Sequence, residues 1–107
     1  MSQDKLVRDK IPQIIRATGM EPIIRVADSG EYAARLRDKL REEVGEFFTS
    51  DQDPEELADV LEVVYALAQL AGLDREELEK LRAAKAEERG GFVDRYIWSG
   101  NRPPRTA

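Results

Sequence analysis

The sequence predicts a mainly α protein: a small bundle of about four helices, with a short two-stranded β ribbon as an option, assembling as an oligomer. Three observations carry this prediction. Apolar residues recur at helical spacing in four separate stretches. Three of those stretches follow acid-headed start signals, Asp28-Ser29-Gly30-Glu31, Asp53-Pro54-Glu55-Glu56 and Asp74-Arg75-Glu76-Glu77. The balance of 41% hydrophobic and 36% charged residues suits a soluble, helix-rich chain. A length of 107 residues leaves room for a single domain, read as residues 1–98, and a flexible tail over 99–107.

The first helix lies within residues 6–18, where Ile11, Ile14 and Ile15 share helical spacing and Gly19 closes the run. Pro12 is tolerated only near a helix start, so residues 5–8 are expected to be extended, with the helix beginning near Asp9. Residues 22–27, rich in β-branched side chains, read as a short strand. The second helix runs from about Glu31 to Phe48 behind its Asp28 cap. The third begins at Pro54 and stops at Gly72. It carries Leu57, Val60, Leu61, Val63, Val64, Leu67 and Leu70, which cover more than one stripe. Such a helix is buried on two sides, and in so short a chain the second side points to a partner subunit. The fourth helix runs from Asp74 to about Arg89 and ends at Gly90-Gly91. Residues 92–98 alternate like a strand and are expected to pair with 22–27.

Composition excludes several chemistries. With no cysteine and no histidine, the chain has no disulfide framework, zinc finger, Glu-x-x-His di-iron site or Ser-His-Asp triad. Acid–base work falls to Asp, Glu, Lys, Tyr or a metal-bound water. A net charge of −5 argues against a general nucleic-acid surface. No apolar run approaches the length of a membrane span and no secretory signal pattern opens the chain, so a cytoplasmic protein is expected.

Two acid pairs stand out: Glu43 with Glu46, and Glu56 with Asp59. Each pair is spaced i,i+3, so its members point to one side of their helix. If residues 49–53 turn the chain back, four carboxylates converge, and they repel one another unless a cation sits between them. A hard divalent ion fits an all-oxygen donor set. Glu43 falls at the edge of the apolar stripe of its helix, Glu46 further round the same side, and Glu42 nearly opposite. The competing reading is plain: Glu56 also occupies a capping-box position, and Glu42 and Glu46 suit a solvated surface. Lys5, Arg8 and Lys10 surround a helix start, where cations oppose the macrodipole and stability does not account for them. Lys85, Arg89 and Arg95 cluster around the end of the fourth helix, where a C-terminal capping role competes with phosphate binding.

These segments together resemble the MazG-like all-α nucleoside triphosphate pyrophosphohydrolases, a superfamily that includes phosphoribosyl-ATP pyrophosphohydrolases and dimeric dUTPases. The shared Glu-x-x-Glu and Glu-x-x-Asp motifs are similar to Glu43-Val44-Gly45-Glu46 and Glu56-Leu57-Ala58-Asp59. The runs KLVRDKIP (5–12) and KAEERGGF (85–92) resemble those of a predicted house-cleaning subgroup, so the likeness spans about residues 5–98. The linker between the acid pairs, residues 47–55, is shorter than usual for the superfamily, and the histidine common in phosphoribosyl-ATP hydrolases is absent.

The resemblance implies hydrolysis of a nucleoside triphosphate, a modified one rather than an ordinary nucleotide, to the monophosphate and pyrophosphate. It implies magnesium, or manganese in its place, held by Glu43, Glu46, Glu56 and Asp59. Glu42 is the candidate to activate the attacking water, and Lys5, Arg8, Lys10, Lys85, Arg89 and Arg95 are candidates to hold phosphate oxygens. A homodimer or homotetramer is expected, with a nucleotide as the partner and neither nucleic acid nor membrane. The alternatives are a phosphoribosyl-ATP pyrophosphohydrolase, and a non-catalytic nucleotide-binding or helical interaction module.

Overall fold

A computed structural model describes residues 4–105 and contains four helices: α1 (Ile11–Ala17), α2 (Ser29–Thr49), α3 (Pro54–Leu70) and α4 (Arg75–Arg89). The protein is mainly α, as its periodicity predicts. The helix starts follow local chemistry. The Asp28 carboxylate accepts from the Glu31 amide at 2.9 Å and starts α2 at Ser29, two residues before the expected boundary. Asp53 accepts from the Glu55 amide at 3.0 Å at the head of α3. Asp74 and Glu77 form a complete capping box at the head of α4. In α1, Pro12 sits within the first turn and the helix begins only at Ile11, because Lys10 supplies no side-chain cap.

α2 and α3 pack against each other as an antiparallel hairpin. Their connection is tight. Ser50 Oγ donates to the Phe47 carbonyl at 2.8 Å and accepts from the Asp53 amide at 3.2 Å. Asp51 and Gln52 between them both hold positive φ, 59° and 65°. At the far end, α3 closes in a Schellman motif. The Leu73 amide donates to the Ala68 carbonyl and the Gly72 amide to the Gln69 carbonyl, with Gly72 at φ 86°, which L side chains rarely adopt. That turn launches α4, which touches only α3, through Arg75 on Glu62 at 3.7 Å and over the Tyr65 ring at 4.6 Å.

The expected ribbon between 22–27 and 92–98 is a correction: no strand forms among the described residues. Both segments are largely exposed, with Ile23, Val26, Phe92 and Ile97 all nearly fully open to solvent. The physical reason is non-local. A strand needs a partner for its backbone groups, and among the described residues no backbone hydrogen bond joins 92–98 to 22–27. A turn at Phe92–Arg95, closed by the Arg95 amide on the Phe92 carbonyl at 3.1 Å, further breaks the extended run.

The chain is long rather than compact. Its greatest extent is 76 Å and its radius of gyration 19.8 Å, against about 13 Å for a compact domain of this size. Its accessible surface is 9996 Å², against roughly 6,000 Å² for a folded monomer of its mass. The core is thin: Leu36 of α2 and Val63 and Ala68 of α3 are its buried apolar residues among those described. Leu57, Leu61 and Leu70 of α3 stay about half exposed, so the second apolar side of that helix has nothing on it within one chain. No helix among the described residues is long and apolar enough to cross a membrane.

Candidate metal centre

The α2–α3 hairpin brings carboxylate oxygens of Glu43, Glu46 and Glu56 within 4.8 Å of one another. The i,i+3 spacing sets Glu43 and Glu46 on one side of α2, and the short turn places the first turn of α3 opposite them. Among the described residues Glu43 is the buried charged one, 7% exposed. Its Oε2, and Oε2 of Glu56, are buried without a hydrogen-bond partner. A buried polar atom with no partner is costly, and here it belongs to an acid.

The electrostatics follow from that burial. Loss of solvent pushes the Glu43 carboxyl above the usual carboxylate range, and the charge of Glu46 pushes it further, while Lys39 opposes both. Glu56 is raised in the same way, first by burial and then by Asp59 and Glu43. Glu56 does not close a capping box, since its N-cap Asp53 bonds the Glu55 amide. Its first-turn position therefore serves to aim the carboxylate at α2.

Asp59, the fourth expected ligand, stands beside this group but outside the converging three. Its Oδ1 accepts from Arg8 Nη1 at 3.2 Å. Arg8 belongs to the segment before α1, which lies across the hairpin. Arg35 Nη1 donates to the Asp4 carbonyl at 2.9 Å, and Lys5 Nζ stands 3.5 Å from Glu42. The helix-start cations are thus brought to the acids, and Lys10 lines the same groove. Glu42, the candidate base, has its two oxygens facing Lys5 and Lys39, each at 3.5 Å.

Lys39 is a site residue that the motif reading missed. It lies one turn before Glu43, its side chain only 15% exposed, with Nζ 3.4 Å from Glu43 Oε1. A signal existed in the sequence: a Lys placed four residues before a Glu is the weaker helical orientation, so helix stability alone does not account for it. Lys85, Arg89 and Arg95 are not brought to the acids. All three are exposed on α4 or beyond it, and the groove beside the cluster takes no lining residue after Gln69.

That groove has a volume of 840 Å³. Its floor is the α2–α3 seam, where Glu43, Lys39, Leu36 and Tyr32 run beside Asp59, Val63, Ala66 and Gln69, and residues 5–14 line one side. From Asp59 to Gln69 it spans about 15 Å of helix. Cations and carboxylates meet at the Asp59 end, and Leu36, Val63, Ala66, Ile11 and Ile14 line the rest together with Tyr32, Glu62 and Gln69.

The chain is similar to an uncharacterized protein of Mycolicibacterium smegmatis, with 51% identity over 47 residues. The match covers 44% of this chain and 48% of that protein, so it spans about half the relative's length. No family model matches the chain, and no solved structure matches it.

Proposed function

We propose that this protein is a magnesium-dependent nucleoside triphosphate pyrophosphohydrolase that releases pyrophosphate and a monophosphate from a modified nucleotide. The observation that carries the reading is the convergence of three carboxylates with two buried, unpartnered oxygens, beside a groove edged by Lys5, Arg8, Lys10 and Lys39. An all-carboxylate set suits a hard cation, magnesium or manganese, and raised proton affinities are what acids show before such an ion replaces the protons. When bound, the ion would neutralise phosphate charge and lower the barrier to forming hydroxide from water.

The residues divide the remaining work. Glu43, Glu46 and Glu56 would hold the ion, with Asp59 close enough to join them once Arg8 turns to a phosphate oxygen. Arg8, Lys5, Lys10 and Lys39 would bind and orient the triphosphate. Glu42 would take the proton of the attacking water after Lys5 moves from its carboxylate to substrate. The large exposed surface supports a homodimer or homotetramer as the working form.

The deciding experiment is pyrophosphate release from a panel of ordinary and damaged nucleoside triphosphates, with and without magnesium. Metal-dependent release that disappears in a folded Glu43→Gln variant is expected. Turnover of phosphoribosyl-ATP alone would move the reading to that activity. Binding of magnesium and nucleotide with no product would leave a binding module in its place.

A further inference from the structure

We infer that the segment following α4, residues 92–98, is an arm that seats on the groove of a second copy of this chain. It rests on the self-association in the reading above, not on the chemistry. Phe92, Val93, Tyr96, Ile97 and Trp98 are between 79% and 96% exposed, five large apolar side chains within seven residues. Leaving such a patch in water is unfavourable, and a patch this dense marks an interaction surface.

The arm does not sit in its own groove: no residue after Gln69 lines it, and the arm's side chains stay exposed. The hairpin is about 31 Å long and α4 about 22 Å by helical rise. The 76 Å extent exceeds the two end to end, which fits an α4 and arm that continue away from the hairpin. The Schellman turn at Gly72, with its two backbone hydrogen bonds, holds α4 in that direction.

A second copy supplies the missing surface. The chain exposes roughly 4,000 Å² more than a folded monomer of its mass. Stable permanent interfaces bury about 2,000–5,000 Å² in total, or about 1,000–2,500 Å² per copy, so two copies sharing arms account for roughly a quarter to three-fifths of that excess. The chemistry also matches. The groove offers Leu6, Ile11, Ile14 and Ala66 to apolar side chains and Glu62 to Arg95, which leaves the acid cluster and its cations to the metal and phosphates of the reading above.

The test uses two properties of the sequence, its single tryptophan and its lack of cysteine. In the oligomer, Trp98 fluorescence is expected to shift to the blue and resist a soluble quencher. Dilution to monomer reverses both. Protection of Trp98 in the monomer would mean that the arm folds back on its own chain, and exposure in the oligomer would mean that another surface holds the copies together. Either result, or a chain that stays monomeric at all concentrations, overturns the inference. For the groove itself, chains carrying Ile14→Cys and chains carrying Ile97→Cys are co-expressed and oxidised. A covalent pair joining one of each is expected, at least tenfold above either variant alone, and its absence would overturn the inference. Neither readout depends on turnover, so a chain that cross-links but releases no pyrophosphate would remove the proposed activity and leave the arm in place.

Discussion

Lys39 and Glu43 show how much of this site is decided by single side chains. Glu43 is held in a place that penalises its charge, and Lys39, 3.4 Å away, offsets part of that penalty. Replacing Glu43 with Gln keeps the shape and removes the charge. The metal-free Glu43→Gln protein is therefore expected to melt no lower than the parent, while its magnesium affinity falls at least about a hundredfold, since even residues behind a ligand are worth ten- to a hundredfold. Calorimetric titration with magnesium checks this, and unchanged affinity would remove Glu43 from the site. Lys39→Met acts in the opposite sense. It takes from Glu42 and Glu43 the cation they share, so the metal-free protein loses stability, while magnesium raises its melting temperature by more than it raises that of the parent. A magnesium effect of equal size in both proteins would show that Lys39 does not share the acids with the ion. The acids were legible from i,i+3 spacing because that spacing alone fixes a helix face. Lys39 was not, because one lysine among the many charges of α2 looks like solvated surface until its depth is known.

At the scale of elements, the caps divide what local sequence specifies from what it does not. Every helix start signal is a short-range event, an acid within three residues of the amide it accepts from, so the starts of α2, α3 and α4 could be read directly. The ribbon could not, since alternation in 92–98 says nothing about whether 22–27 lies within reach. Glu56 is the instructive middle case: a capping-box acid and a candidate metal ligand are the same letter at the same position, and the observed Asp53–Glu55 bond removes the capping box alone. Asp53→Ala should cost about 1 kcal/mol of stability. Glu56→Gln should cost none and instead stabilise the metal-free protein by relieving repulsion with Asp59 and Glu43. Urea melts of the two variants make the comparison, and equal losses would restore Glu56 to a capping role. The α2–α3 turn gives an independent check. Gln52 sits at φ 65°, a conformation that costs a residue with a side chain about 1–2 kcal/mol, whereas the flexibility of glycine in the unfolded chain takes back about 0.4–1 kcal/mol. Gln52→Gly is therefore expected to raise stability by up to about 1.6 kcal/mol, with the midpoint moving and the denaturant slope unchanged. A fall in the midpoint would show that the turn relaxes when other copies pack against it.

For the molecule as a whole, the charge pattern predicts an unusual pH profile that magnesium should invert. Glu43 and Glu56 have proton affinities raised above their unfolded value of 4.5. At pH values between that value and their folded ones, the native state holds protons that the unfolded chain has released. Stability there falls as pH rises, and the full contribution is present only below the unfolded value. Glu31 works in the opposite direction. Hydrogen bonding to Arg25 lowers its carboxyl to about 2, so its contribution is present above 4.5 and is lost as the medium approaches pH 2. The metal-free protein should therefore gain melting temperature as pH falls towards 4.5 and lose it again as pH falls further towards 2. Magnesium binds only ionised carboxylates and competes with the protons, so its stabilisation grows with pH. At ten times its dissociation constant it contributes about 1.4 kcal/mol, or about 6 °C for a chain of this size, most where the acids are ionised and least below 4.5, where they hold their protons. Thermal melts across pH, with and without magnesium and at one fixed protein concentration so that assembly does not shift the midpoint, read both slopes at once. A metal-free melting temperature that climbs steadily to pH 8, together with indifference to magnesium, would mean that the three carboxylates are solvated surface charges. The same indifference with a falling slope would keep the buried repulsion and point to a cation supplied by a partner chain in place of a metal.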